Sequence, residues 1–402
     1  MKNERLNELY LKLNSLCIFR ALLADSVISK LMKYLECIET AETSEKISRY
    51  SDFVSVLYTN NKLSLARHIH TVVSNNENVY VKILGSGKSG SPTMKKCVDA
   101  ELEILQSVAD LTPAELQSAV DWNGFLPVFK AEKVDLANDY AKRTKNIGKY
   151  GYGIYAKNHM FRIDNGKIVP VLHPDEITLS DLIGYEREKK IIFDNTKALL
   201  EGRAAANILL TGDAGTGKSS TVKAVVNELR KEGLRIIEVR KEQLREIPVI
   251  LDELSDNPLK FILFIDDLSF QKDDDNFGAL KAILEGSVSA KSKNVVIYAT
   301  SNRRHLVKET FSDREGDDIH RNDTMQEIIS LSERFGIQVT FSRPDKKTYL
   351  DIVHHLADPA GIEYDAEKID LAAERFVLSR GSRSARAARQ FIDNIISGNI
   401  IL

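Results

Sequence analysis

The sequence predicts an α/β protein: a parallel sheet covered by helices on both faces, a C-terminal helical lid, and a mainly helical N-terminal domain. Three observations predict it. Strand-like apolar runs at 208–210, 235–239, 261–265, 295–299 and 337–341 alternate with helical segments, and continuous runs of this kind belong to strands buried on both faces. Beyond Arg343-Pro344 the strand texture stops and helical periodicity takes over. Before residue 140, apolar positions recur at three- and four-residue spacing, as in helices that bury one stripe. The chain is therefore expected to divide into 1–139, mainly helical; 140–173, a Gly/Tyr/Lys-rich connection with a hairpin; 174–342, the α/β core; and 343–402, the lid.

In the first region Leu6, Leu9, Tyr10, Leu13, Leu16 and Cys17 form one stripe, and Ile28, Leu31, Met32 and Leu35 form another. A further helix is expected at 97–109. Thr112-Pro113-Ala114-Glu115 opens the next, with Thr112 as its cap and Pro113 in its first turn. From 140 to 157, Tyr140, Tyr150, Tyr152 and Tyr155 interleave with Lys142, Arg143, Lys145, Lys149 and Lys157. Such a mixture can stack on and neutralise a nucleic-acid strand. Alternatively, the tyrosines pack locally, and no neighbouring segment extends the basic patch. Residues 160–163 and 168–171 flank Asn165-Gly166, a pair that takes positive φ at low cost and so predicts a tight hairpin.

With 402 residues, 43% hydrophobic and 28% charged, the chain can build two or three cores. A formal net charge of -2 gives no bulk argument for or against nucleic acid. Cys17, Cys37 and Cys97 are far apart and make no C-x-x-C pair, which argues against a disulfide framework or a thiolate zinc site and for a reducing compartment. The eight histidines make no H-x-x-x-H spacing. No apolar run approaches the ~20 residues of a membrane span, and the first residues are too polar for a secretory signal. A cytoplasmic protein without membrane association is the expectation.

The chemistry concentrates at Gly212-Asp213-Ala214-Gly215-Thr216-Gly217-Lys218-Ser219, a full G-x-x-x-x-G-K-S between a strand and a helix that begins at Ser220. Glycines let the backbone curl until its N–H groups converge on phosphate oxygens, and the helix N-terminus adds its positive dipole. Lys218 is placed to reach the outer phosphates, and Ser219 to put a hydroxyl on Mg²⁺. Gly85-Ser86-Gly87-Lys88-Ser89 looks similar, but Lys82 stands where the first glycine should be, so it reads as an ordinary loop.

The run at 261–265 ends in Asp266-Asp267. Beside the loop, Asp266 would hold Mg²⁺ and Asp267 would polarise the attacking water; alone, the two acids would merely cap the next segment. Asn302, just past 295–299, could orient water or the γ-phosphate. Arg334, in Ser332-Glu333-Arg334-Phe335-Gly336, suits a phosphate in a neighbouring subunit. It could equally pair with Glu333 or Glu327. Arg383, Arg386 and Arg389 recur at helical spacing, which would put three guanidinium groups on one face. No N-K-x-D guanine-reading motif follows Asn195-Thr196-Lys197, so adenine is the expected base.

These residues resemble the AAA+ ATPases from about Asp181 to the C-terminus. DDLSF, ATSNRRHL, SERFG and ARQFID together resemble, more narrowly, a bacterial ATP-binding family called domain of unknown function 815. The resemblance implies a P-loop AAA+ nucleotide-binding core with ATP and Mg²⁺ as its ligands. It assigns Ile183, Gly184 and Tyr185 to the stretch bordering adenine, with Gly212 to Ser219 and then Ser220 around the phosphates. It makes Asp266 and Asp267 the Walker B acids, Asn302 sensor 1, Arg334 the arginine finger and Arg386 the sensor 2 arginine of the lid. It implies a homo-oligomeric ring such as a hexamer, in which ATP hydrolysis remodels or loads an unknown protein or nucleic-acid client. The residues depart from that pattern at Asp267, where AAA+ members carry Glu. The shorter side chain leaves a slow-hydrolysing, ATP-dependent switch or scaffold as the alternative. Arg314 and Arg321 compete with Arg334 for the finger.

Overall fold

A computed structural model describes residues 2–60, 62–269, 275–285, 293–302, 333–362 and 364–400. Arg314, Arg321 and Glu327 lie outside the described residues. The chain divides into two compact units, one of residues 1–157 with 256–258 and one of the remainder.

The first unit is helical around a core that includes Leu13, Phe19, Leu31, Tyr34, Phe53, Leu57, Ile69 and Leu105. Its first helix, Lys2–Asn14, ends earlier than the apolar stripe predicts. The reason is Glu101, a buried residue of the helix Pro92–Ala109, whose carboxylate accepts the backbone N–H groups of Cys17, Ile18 and Phe19 at 2.9–3.0 Å. Those donors are captured by a side chain from 82–84 residues away in sequence rather than by a helix carbonyl. Leu16 is buried and Cys17 exposed. The helix Pro113–Gln117 opens with the reciprocal capping box of Thr112 and Glu115. In the Tyr/Lys segment, Tyr140, Tyr152 and Tyr155 are buried, and the Arg143 guanidinium lies 4.8 Å above the Tyr150 ring while Nε donates to the carbonyl of Ser74. Tyr140 packs against Phe19, 5.4 Å between ring centroids, in the core of this unit.

The second unit is built on a seven-stranded sheet in the order β2-β1-β4-β5-β6-β3-β7. The strands are β1 (Met160–Asp164), β2 (Lys167–Pro170), β3 (Ile208–Gly212), β4 (Leu234–Val239), β5 (Lys260–Ile265), β6 (Val295–Ser301) and β7 (Ile337–Phe341). The five strands β4-β5-β6-β3-β7 are parallel, and with the helices between them they make an α/β fold. The predicted hairpin forms at Asn165 (φ 49°) and Gly166 (φ 73°). Its first strand also pairs with β4, so the hairpin extends the sheet edge.

Every residue from Phe261 to Ile265 is at most 1% exposed. A strand in mid-sheet with helices on both faces has no solvent side, which is why β5 reads as an unbroken apolar run. The lid comprises helices Lys346–Ala357, Ala366–Arg380 and Ala385–Ile396 around Tyr349, Val353, Ile369, Ala373, Ala388 and Phe391. Asp345, Asp365 and Ser384 cap their N-termini with side-chain hydrogen bonds.

Candidate functional site: a phosphate loop facing two acids

The site forms at the C-terminal ends of β3, β5 and β6. In a parallel sheet the loops at that end open onto one crevice, the usual place for a ligand. From β3 the chain passes through Gly212, Gly215 and Gly217, with φ of 138°, 79° and 92°, into the helix Lys218–Leu229. At Gly212 a Cβ would lie 2.1 Å from the carbonyl oxygen of Phe341 on β7, so the close approach of two strands excludes a side chain. Thr216 is buried, and its hydroxyl donates to the carbonyl of Asp213 at 2.9 Å, bracing the loop from within.

Lys218 is only 5% exposed. Its ammonium donates to the carbonyls of Gly212 (2.7 Å) and Asp213 (2.8 Å) and to Oδ1 of Asn302 (3.0 Å). Burial lowers its pKa below the ordinary lysine value, against the opposing pull of Asp213, Asp266 and Asp267. The result is a cation held in the loop by neutral oxygens, poised to exchange them for charged ones.

The two acids behave differently. Oδ1 of Asp266 accepts the hydroxyls of Ser219 (2.6 Å) and Thr300 (2.5 Å). Asp267 has a left-handed backbone, φ 55°; its N–H donates to Oγ1 of Thr300 at 2.9 Å, and its Oδ1 accepts from Nδ2 of Asn302 at 2.7 Å. Asp is one of the few side chains that tolerate this conformation. The local backbone thus supplies a physical reason for Asp at 267.

A cavity of about 540 Å³ opens over these groups. Ile183, Gly184, Tyr185, Ala214, Gly215, Thr216, Gly217, Lys218, Ser219, Ser220, Asp266, Asp267, Asn302 and Arg386 all line it. Tyr185 and Gly184 both have positive φ, and the Tyr185 hydroxyl donates to the carbonyl of Ser342 at 2.6 Å. Burial pushes the Tyr185 phenol up to about 12, so it stays a neutral donor. The cavity wall continues onto the lid, where the backbone N–H of Arg386 donates to the carbonyl of Gly215 at 3.3 Å. Gly212 contributes its carbonyl to Lys218, and the carboxylate of Asp213 turns to Arg343 at 2.8 Å.

Arg334 stands apart. It is not part of the cavity wall, and its guanidinium is paired with Glu285 on the helix Asp275–Glu285, Nε to Oε1 at 2.9 Å. This acid comes from 49 residues away, on an element the sequence reading did not connect with Arg334. The expected face of three arginines also resolves otherwise. Arg383 precedes the last helix and makes a two-point pair with Glu374 (3.0 and 2.7 Å), because Ser384 caps the helix and breaks the spacing. Arg386 and Arg389 face the cavity.

Three contributors escaped the sequence reading. Thr300 and Lys189 line the cavity, and Glu285 holds Arg334. Lys189, 7% exposed, donates to the carbonyl of Leu182 at 2.8 Å and pairs with Glu186, fastening the segment before Ile183. A hydroxyl-bearing tail, Thr300-Ser301, after the apolar run was the available signal for Thr300. Glu285 left none.

For a metal, the neighbouring donors are the Ser219 hydroxyl and the Asp266 carboxylate, hard oxygens that suit Mg²⁺. Among the described residues no group of three or more His, Cys, Asp or Glu could hold a metal ion. Mg²⁺ needs no such cage, since it is commonly held by one or two protein oxygens plus water and substrate phosphates.

The model of the family described as "Protein of unknown function (DUF815)" matches residues 156–399, which span the sheet, the loop, both acids and the lid. The chain belongs to the DUF815 family. Among solved structures, this DUF815 member is similar to the Thermotoga maritima RuvB Holliday junction branch migration motor, at 15% identity and TM-score 0.33, over 54% of this chain and 71% of that one. It is also similar to the FIGL-1 AAA domain in complex with ADP, at 18% identity and TM-score 0.37, over 57% and 75% of the two chains. No curated protein matches the DUF815 sequence. None of its described helices is long and apolar enough to cross a membrane.

Proposed function

We propose that this chain binds ATP with Mg²⁺ in the cavity over the 212–219 loop and hydrolyses it, in a homo-oligomeric ring that remodels or loads a macromolecular client in the cytoplasm. One observation carries the reading. A buried lysine, a serine–aspartate oxygen pair, a second aspartate and an asparagine converge on one crevice from three neighbouring strands.

The loop N–H groups and Lys218 would bind the phosphates. Ser219 and Asp266 would hold Mg²⁺, which when bound offsets phosphate charge. Asn302 orients Asp267 through Oδ1, leaving Oδ2 to accept a proton from the attacking water. Ile183, Gly184 and Tyr185 would border the base. Arg386 on the lid would report whether the γ-phosphate is present. Arg334 would act in trans, on the nucleotide of the adjoining subunit; its absence from its own cavity wall is compatible with that role.

Calorimetric titration with ATP and Mg²⁺, with steady-state turnover, tests the reading. Binding with hydrolysis supports it; folded protein that gives no heat with MgATP overturns it. A thermal-shift comparison with GTP tests the base, and isolation from cells of Asp267→Asn, designed to retain ATP, tests for a client.

A second reading is favoured by Asp267 itself, whose short side chain is tied to Asn302. In that reading ATP organises an assembly and hydrolysis is slow. Turnover below about 0.01 per second under all conditions, against ~10 per second for a typical enzyme, selects it.

A further inference from the structure

We infer that Thr300 is a positioning residue for hydrolysis: one buried hydroxyl orients both acids of the site. The inference rests on the functional reading above and deepens it.

Thr300 lies on β6, one residue past the pair that aligns Ile265 of β5 with Ala299. It is 2% exposed, so water does not compete for its hydroxyl. A threonine hydroxyl has one proton and two lone pairs. Here Oγ1 gives the proton to Oδ1 of Asp266 at 2.5 Å and accepts the N–H of Asp267 at 2.9 Å. Because a carboxylate only accepts and an amide N–H only donates, the direction of both bonds is fixed. The carbonyl of Thr300 accepts the N–H of Leu268 at 2.7 Å, so three successive residues of the turn are fastened to this one position.

The turn needs fastening. Asp267 has φ 55°, a sparsely populated region for a residue with a side chain, and such a conformation persists only when its surroundings hold it. Loss of the hydroxyl leaves the Asp267 N–H with Oδ1 of Asp266 at 3.2 Å. It also removes one of the two hydroxyl donors that orient Asp266, the other being Ser219. Thr300 acts in this scheme through the two carboxylates, setting where they stand.

The test compares Thr300→Val, which keeps the shape and deletes the hydroxyl, with Thr300→Ser, which keeps the hydroxyl. Thr300→Ala replaces the valine variant if that one does not fold. Expected for Thr300→Val is ATP affinity in EDTA within about twofold of the parent, KM little changed, and kcat lower by about 100-fold, the scale of a misplacement near 1 Å. Hydrogen exchange at the Asp267 amide, followed by NMR without nucleotide, should quicken in the valine variant. Thr300→Ser should bring kcat and exchange back to within about threefold of the parent. Parental kcat in Thr300→Val, unchanged exchange at Asp267, or failure of serine to rescue overturns the inference. A parent that neither binds nor hydrolyses ATP overturns the functional reading first, and the catalytic role of Thr300 with it. In that case the exchange data still report whether the hydroxyl holds Asp267.

Discussion

Nδ2 of Asn302 donates to Oδ1 of Asp267 at 2.7 Å, joining the residue after β6 to the second acid beyond β5. The other end of the same amide accepts from Lys218. One neutral side chain therefore ties the phosphate-loop cation to the candidate base. Replacing it by Ala removes both contacts, while Asn302→Asp puts a carboxylate against Asp267. Asn302→Asp should raise the pH at which turnover switches on, because two adjacent carboxylates resist joint ionisation. A pH–rate profile of the two variants checks this.

Lys218→Ala should abolish ATP binding, by at least about 100-fold, since the deleted ammonium is the buried cation of the loop and hydrogen bonds to charged partners are the strong ones. In the parent, burial has lowered the lysine pKa. Affinity should therefore start to fall at a pH below the ordinary lysine range. Calorimetry across alkaline pH measures it.

Arg334→Ala should leave ATP binding intact and cut turnover by about 10³-fold, the lower range for a finger. Mixed with Lys218→Ala protein, it should regain activity, since each variant supplies the half-site the other lacks. Glu285→Gln, which weakens the hold on Arg334, should change turnover without changing affinity. Parental turnover in Arg334→Ala would rule out the shared site.

Glu101→Gln should destabilise the full chain by about 2–3 kcal/mol. The amide nitrogen can face an N–H donor but cannot accept from it, leaving at least one of the Cys17, Ile18 and Phe19 donors unsatisfied in the core. Urea melts by circular dichroism read this out.

Asp25 adds an acid dependence. Burial raises its pKa, but the His68 imidazole at 2.7 Å and the N–H groups of Val27 and Ile28 outweigh that, and the net shift is downward from 3.8. A folded pKa below the unfolded one contributes stability above the unfolded value, and that stability disappears as pH falls through the folded value. Asp25→Asn should therefore lose stability near neutrality and show a shallower decline below about pH 4. Thermal melts from pH 6 to 3 test both parts.

Much of this protein was legible from local chemistry. The G-x-x-x-x-G-K-S at 212–219 with its flanking strand and helix, the unbroken apolar run into Asp266-Asp267, the Asn165-Gly166 turn and the Thr112–Glu115 cap are each determined by neighbours in sequence. Backbone conformation and burial on both faces of a strand leave their mark within a few residues. Only the tertiary structure decided where Lys2–Asn14 stops, because Glu101 captures donors 82–84 positions away. It alone paired Arg334 with Glu285 and Arg383 with Glu374. It placed one hydroxyl, that of Thr300, between two acids. Charged and hydroxyl side chains choose partners by distance in space, and a periodic pattern along the chain carries no record of which strand or helix will arrive beside them.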